Sequence, residues 1–318
     1  MRKNSKFLPC RQAGKIQSSK FKIGKSRLFK VILIVIFVYI IFLISRDLYA
    51  SAFFQKKDRI NLVISQDQIA VYSLGLSDKV NYFIPFYPDL DVIVPGGYGY
   101  YRLGALAKLV SLEKNPDLFR KSYTLITSSF VDFYFYPSLP SDKIEVIFGK
   151  EKRDFFLQRF YLIFFGKSNA RFFDRLFLYL QFLGKTKGQF KIIGDLPTKI
   201  EGSRRVFSPN NFFETYQGLF YKKTYRSEQL NVQIVYTKSY KTAQFLTQIL
   251  EGEGIRVVDL SQSDNKEKNC FVFEDKKKFS ETAKSVSQFF ACRLSVGKTG
   301  AYDIILKLGG VEEEWEVE

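Results

Sequence analysis

An uninterrupted apolar run, Val31 to Ile44, stands directly behind thirty residues that hold ten Lys or Arg and no Asp or Glu. The ten are Arg2, Lys3, Lys6, Arg11, Lys15, Lys20, Lys22, Lys25, Arg27 and Lys30. Leu28 and Phe29 extend the run once Lys30 reaches along its own stem to the headgroups, which makes a short but adequate membrane span. The buried helix of a soluble protein fits poorly behind so basic a segment. Cleavage as a signal peptide is the competing reading, because Ala50-Ser51-Ala52 has a small-x-small pattern, although Arg46 and Asp47 count against it. Positive residues resist translocation, so the sequence predicts a cytoplasmic tail over 1–27, a transmembrane helix over 28–48 and everything from about residue 50 outside the cytoplasm. The expected location is the cell membrane, single-pass.

This placement accounts for most of the charge. The formal net charge of the 318 residues is +17, and without the first thirty residues 39 basic side chains face 32 acidic ones, ordinary for a solvated surface. Nucleic acid is therefore not an expected partner, since no base-reading element accompanies the tail; a basic juxtamembrane segment sets topology and adheres to anionic lipid. There is no histidine. That excludes Ser-His-Asp and Cys-His catalysis and His-ligated zinc, leaving carboxylates, Lys, Arg, Tyr or a hard metal for any chemistry. Cys10, Cys270 and Cys292 are too few for a disulfide framework or a thiolate metal site.

Two folded regions are expected beyond the span. The first, 55–225, opens with β-rich runs at Ile60–Ser65, Ile69–Leu74, Val80–Pro85 and Val92–Val94. Pro95-Gly96-Gly97-Tyr98-Gly99-Tyr100-Tyr101-Arg102 then precedes apolar residues at helical spacing, so the expected order is strand, glycine loop, helix. Such a loop can present the N–H groups of Gly97 and Gly99 to a phosphate, with Arg102 adding charge; it can equally be a tight turn that needs positive φ. Leu125–Val131 and Phe133–Tyr136 read as strands, and Phe155–Phe165 and Phe172–Leu183 as helices. Phe172, Phe173, Leu176, Phe177 and Leu180 make an apolar stripe that faces either the core or a groove for a lipid tail.

The second region, 229–310, alternates strand and helix: Val232–Tyr236, Ala243–Leu250, Ile255–Leu260, Cys270–Phe273, Phe279–Phe290, a short strand near Leu294 and Tyr302–Leu308. A small α/β domain follows from that pattern. Cys270 and Cys292 fall at the same end of their elements, where a disulfide and two separate buried thiols are both compatible with the sequence. The acidic tail, 311–318, reads as a mobile, solvated end.

Leu230-Asn231-Val232-Gln233-Ile234-Val235-Tyr236, Thr242 to Leu250, Gly254-Ile255-Arg256-Val257-Val258 and Tyr302 to Gly309 resemble the LytR C-terminal domain. Thr237-Lys238-Ser239 stands where that family has an Asn-Gly turn. The region before it resembles a degenerate LytR-CpsA-Psr domain, with Ile84-Pro85 matching the start of an Ile-Pro-Arg-Asp strand but Phe86 and Tyr87 in place of Arg and Asp. The resemblance implies an α/β fold behind a single-pass anchor, and a family that transfers anionic glycopolymers from a polyprenyl-pyrophosphate carrier to peptidoglycan. Against it, Asp89 and Asp91 alternate on one face as candidate Mg²⁺ ligands, and Arg171 and Arg175 lie one helical turn apart as a candidate phosphate clamp. The same residues fit a solvated edge and the polar face of a helix. The expected function is a non-catalytic envelope protein that binds a lipid-linked glycopolymer, peptidoglycan or another envelope protein, with no cofactor. A divergent Mg²⁺-dependent phosphotransferase and a bitopic scaffold of division or envelope assembly are the alternatives.

Overall fold

The computed structural model describes residues 25–55, 57–65, 69–137, 157–264 and 268–317; the tail before Lys25, Cys10 with it, lies outside the described residues. The chain divides into two compact units, 1–49 and 50–318. In the first, α1 (Lys25–Tyr49) contains neither glycine nor proline and is apolar on every side over 31–44. Its Phe29–Tyr49 stretch of 21 residues is long and apolar enough to cross a membrane, since a rise of 1.5 Å per residue gives about 31 Å.

The second unit opens with a meander of β1 (Arg59–Ser65), β2 (Ile69–Gly75) and β3 (Asn81–Phe86), with Arg59 opposite Gly75 and Ile69 opposite Phe86. A hairpin of β4 (Asp91–Val94) and β5 (Gly99–Arg102) leads to α2 (Leu106–Leu112) and α3 (Asp117–Thr127). Next, β6 (Phe133–Phe135) joins β1 in parallel. Beyond α4 (Leu157–Phe165) and α5 (Phe172–Phe182), β7 (Phe190–Ile192) joins β3 and completes a sheet of order β6-β1-β2-β3-β7. The hairpin of β8 (Thr198–Glu201) and β9 (Arg204–Phe207) extends β4 into a second sheet of order β5-β4-β9-β8, and α6 (Pro209–Tyr216) and α7 (Lys223–Glu228) lead onward. Successive residues of a strand face opposite sides, and here both sides are covered. Ile60, Leu62, Ile64, Tyr72 and Leu74 pack with Leu162 of α4 and Leu178 and Phe182 of α5. Val63, Val71, Ile84 and Phe86 pack with Leu106, Phe119, Tyr123 and Phe207 on the other side.

In the first region two local expectations differ from the structure. The glycine segment is a strand-to-strand turn: Gly96, Gly97 and Gly99 take φ of 86°, 77° and 63°, which glycine adopts without a Cβ penalty. Leu125–Thr127 is the last turn of α3, ended by Ser128 in the left-handed conformation; the helix is buried on every side from Lys121 to Thr127, which is why its end reads as a continuous buried run.

The mixed sheet of the second region comprises β10 (Asn231–Tyr236), β11 (Arg256–Gln262), β12 (Phe271–Glu274), β13 (Arg293–Val296) and β14 (Ile304–Lys307) in the order β11-β10-β14-β12-β13. It carries α8 (Tyr240–Gly252) and α9 (Glu281–Phe289), whose Leu246, Ile249, Ala283 and Val286 bury Val232, Ile234, Val272, Ile304 and Leu306. Ile93, Leu125 and Phe130 of the first region join that same core. Cys270 and Cys292 precede β12 and β13, which pair in parallel, and the two are disulfide-bonded with Cα atoms 4.7 Å apart.

The acidic tail is docked rather than mobile. After α10 (Val311–Glu314), Trp315 is 2% exposed and packs 5.5 Å from the Phe290 ring. The Glu312 carboxylate accepts from the amides of Thr237 (2.8 Å), Lys238 (2.6 Å) and Ser239 (2.5 Å) ahead of α8, where the positive end of the helix dipole favours a negative charge.

Candidate functional site

The residues singled out in the sequence do not come together as one constellation. The amides of Gly96 and Gly97 donate to the carbonyl of Glu316 at 2.9 and 3.3 Å, so that of Gly97 is already engaged by the tail. Arg102 ends β5, exposed, opposite Asp91 in the ladder. Asp91 is 6% exposed and lies 3.9 Å from the Arg204 guanidinium, while Asp89 is exposed on the preceding turn. A hard divalent cation takes about six oxygens; two aspartates beside a guanidinium do not fit that requirement, and among the described residues no group of three or more acidic, Cys or His side chains is placed to hold a metal.

Arg175 is committed within the fold. Its Nε donates to the Ala170 carbonyl (3.0 Å), Nη1 to those of Ile163 (2.7 Å) and Phe164 (3.0 Å), and Nη2 to that of Gly166 (3.1 Å). A helix ends with unpaired carbonyls, and Arg175 closes those at the end of α4. Arg171 lines a cleft.

That cleft, of about 930 Å³, runs between the first and second regions from Ala50 and Phe54 past α5 and α7 to α9. Five cationic side chains line it, Lys57, Arg120, Arg171, Lys222 and Lys284, with four carboxylates, Asp58, Asp132, Asp174 and Glu281. The carboxylates are engaged from within. Asp58 accepts from the Thr224 amide (2.8 Å) and hydroxyl (2.6 Å), Asp174 from the Ala52 amide (2.8 Å), Asp132 from Lys57 (2.7 Å) and the Asn61 amide (2.9 Å), and Glu281 from Lys284 (2.6 Å). The cations are paired as well, Arg120 with Asp117 at 2.7 Å and Lys222 with Glu253 at 2.8 Å, but ammonium and guanidinium groups carry three and five donors, more than these contacts use.

Lys222 and Glu253 form the buried floor, with Nζ 2.8 Å from Oε2. Glu253 Oε1 also accepts from the Ser129 hydroxyl and the Phe130 amide, both at 2.6 Å. Burial opposes the charge on Lys222, but Glu253 and then Tyr225 and Asp132 hold the amine above its ordinary range. Burial likewise works against ionised Asp132, yet Lys57 and Lys222 keep its carboxyl below the usual carboxylate range. A polar chain leads away from this floor: Asn61 donates to Ser129 (2.8 Å), Ser73 to Asn61 (2.6 Å) and Arg59 to Ser73 (3.0 Å). Aromatic walls complete the cleft, with Phe130 stacked on Phe289 at 3.9 Å and the Arg120 guanidinium 4.6 Å from the Phe289 ring centre.

None of Lys57, Asp132, Lys222 or Glu253 was singled out from sequence. Asp132 carried a readable signal, a lone carboxylate inside the apolar run Phe130-Val131-Asp132-Phe133, because burying such a group requires a paired cation.

The sequence matches no protein-family profile and no curated protein. Among solved structures, the chain is similar to the transcriptional regulator yvhJ from Bacillus subtilis, at 12% identity over 52% of this chain and 97% of that one, with a TM-score of 0.36. It is similar to a transcriptional regulator from Enterococcus faecalis at 8% identity, covering 64% and 89%, TM-score 0.33. The LytR-CPS2A-psr family protein YwtF (TagT) with bound octaprenyl pyrophosphate lipid gives 12% identity, covering 51% and 89%, TM-score 0.33. Scores of this size carry no weight for function.

Proposed function

We propose that this chain is a single-pass membrane protein whose folded unit lies outside the cytoplasm and holds an anionic envelope ligand, lipid-linked or wall-attached, without performing group transfer. The observation that carries this reading is the cleft: its lining starts at Ala50, the residue after α1, and includes five cations, of which Lys57, Arg120, Lys222 and Lys284 each hold an internal carboxylate and carry more N–H donors than that one contact uses. The sheet of the second region serves in this reading as a LytR C-terminal-like module that closes one wall.

The transfer reading needs groups converging on a pyrophosphate, and the positions that the family resemblance points to do not supply them. Phe86 is buried, its ring 6.1 Å from that of Phe207. Tyr87 is exposed beneath the Arg205 guanidinium at 5.2 Å. A general base must come within about 3 Å of the proton it takes, and the acidic oxygens of the cleft already accept from amides, hydroxyls and ammonium groups. Binding through surplus donors remains as the chemistry the cleft can perform.

The test is titration of the full chain, in bilayer discs, with polyprenyl pyrophosphate and separately with a poly(glycerol phosphate) chain. Saturable binding to either is expected, weakened at least about tenfold, or 1.4 kcal/mol, by the double substitution Arg120→Ala and Lys284→Ala. Binding that the double variant leaves unchanged, or release of free phosphate from the lipid, would contradict the proposal.

A further inference from the structure

The outer face of α5 is apolar where a surface helix is ordinarily polar. Its inner face buries Asp174, Leu178 and Phe182. On the other side Phe172 is 63%, Leu180 46% and Leu183 54% exposed, with Leu176 half-buried between them. The spacing of 172, 176, 180 and 183 is that of one helical stripe, and among the described residues no element covers it.

Two further observations say what does. The first is tethering: the Asp174 carboxylate at the start of α5 accepts from the Ala52 amide at 2.8 Å, and Phe53 packs edge-on against Phe177 at 5.1 Å. Ala52 is three residues past Tyr49, the end of the apolar stretch. No conformation of so short a link takes Ala52 more than roughly 10 Å from where the chain leaves a bilayer. Phe53 and Phe54 beside it are 40% and 52% exposed. The second is charge. Between 165 and 194 the chain holds Lys167, Arg171, Lys185, Lys187 and Lys191 beside the committed Arg175, against a single carboxylate, the inward-turned Asp174.

We propose that the outer face of α5, with Phe53 and Phe54, is a lipid-docking surface that lies in the headgroup layer of an anionic membrane. An apolar helical stripe between basic flanks is the pattern of a helix lying in the interface plane, its apolar side entering by about 5–10 Å. Over its eleven residues α5 is about 16 Å long, so it docks along its length rather than by its tethered end. The surface rests on the membrane reading of α1.

The experiment places an environment-sensitive fluorophore on single cysteines introduced into the full chain carrying Cys10→Ser, reconstituted in vesicles of phosphatidylcholine and phosphatidylglycerol. Phe172→Cys and Leu183→Cys probe the stripe, Ile200→Cys on β8 (82% exposed) reports water, and Ile40→Cys reports the span. Blue-shifted emission quenched by shallow spin-labelled lipid is expected at 172 and 183, deep quenching at 40 and neither at 200. Water-like emission at 172 or 183 alongside a quenched Ile40→Cys overturns the docking surface and leaves the anchor standing. A blue shift at 172 and 183 without lipid quenching, growing with protein density, assigns the stripe to a second copy and overturns it too. Absence of quenching at 40 removes the anchor reading and the docking surface with it.

Discussion

The buried charges below the cleft set how this protein responds to single substitutions and to pH. Asp132 stands between Lys57 and Lys222, and its carboxyl is held below its usual range by both, against burial. A carboxylate depressed on folding stabilises the native state above its unfolded value, about 3.9, and that contribution is lost as pH falls through the folded value. Asp132→Asn removes it and leaves Lys57, 26% exposed, without its charged partner, at a cost of about 1.5–3 kcal/mol at neutral pH. Chemical denaturation of the full chain in detergent, repeated from neutral pH into acid, should show the variant less stable at neutrality and with a shallower acid limb than the parent. Equal stability at neutral pH would mean that the Lys57–Asp132 contact contributes nothing. Arg175 illustrates why residue roles were partly illegible: its sequence neighbours mark a basic turn of helix, while its carbonyl partners on α4 follow only from tertiary packing.

At the scale of elements, periodicity served best where both readings of a pattern lead to burial. β1 and β2 lie where the β-rich runs place them and are buried along their whole length, their polar Arg59, Asn61 and Ser73 bonded to one another, and the strand–helix alternation of the second region appears at the expected positions. The α5 stripe was visible too, but spacing names a stripe without saying which side the protein covers; Leu178 and Phe182 face inward and Phe172 and Leu180 outward. The tail was misjudged because five glutamates mask two anchors, Trp315 and Val317, which are 2% and 3% exposed. Truncating a buried Trp to Ala costs about 3–5 kcal/mol, and here it should also loosen the turns the tail holds. Trp315→Ala is expected to speed amide hydrogen exchange at Gly96 and Gly97, which donate to Glu316, and at Thr237–Ser239, which donate to Glu312. Unchanged exchange at both turns would show that the tail does not fasten them.

The whole molecule is a basic tail, one apolar helix and one compact unit in which two α/β regions share a core and enclose a donor-rich cleft. In the proposed reading the cleft, the α5 stripe and the disulfide share one premise, that residues 50–318 lie on the oxidising side of a membrane. Orientation is therefore the quantity on which the account turns, and the chain offers its own control: Cys10 lies in the tail, Cys270 and Cys292 are joined, and Ile200 is exposed at 82% on β8. The measurement is labelling of the Ile200→Cys protein with a membrane-impermeant maleimide, in intact cells and after lysis, followed by mapping of the modified cysteine. Modification of residue 200 in intact cells with Cys10 reached only after lysis is the predicted result; Cys10 labelled in intact cells with residue 200 protected until lysis would contradict it.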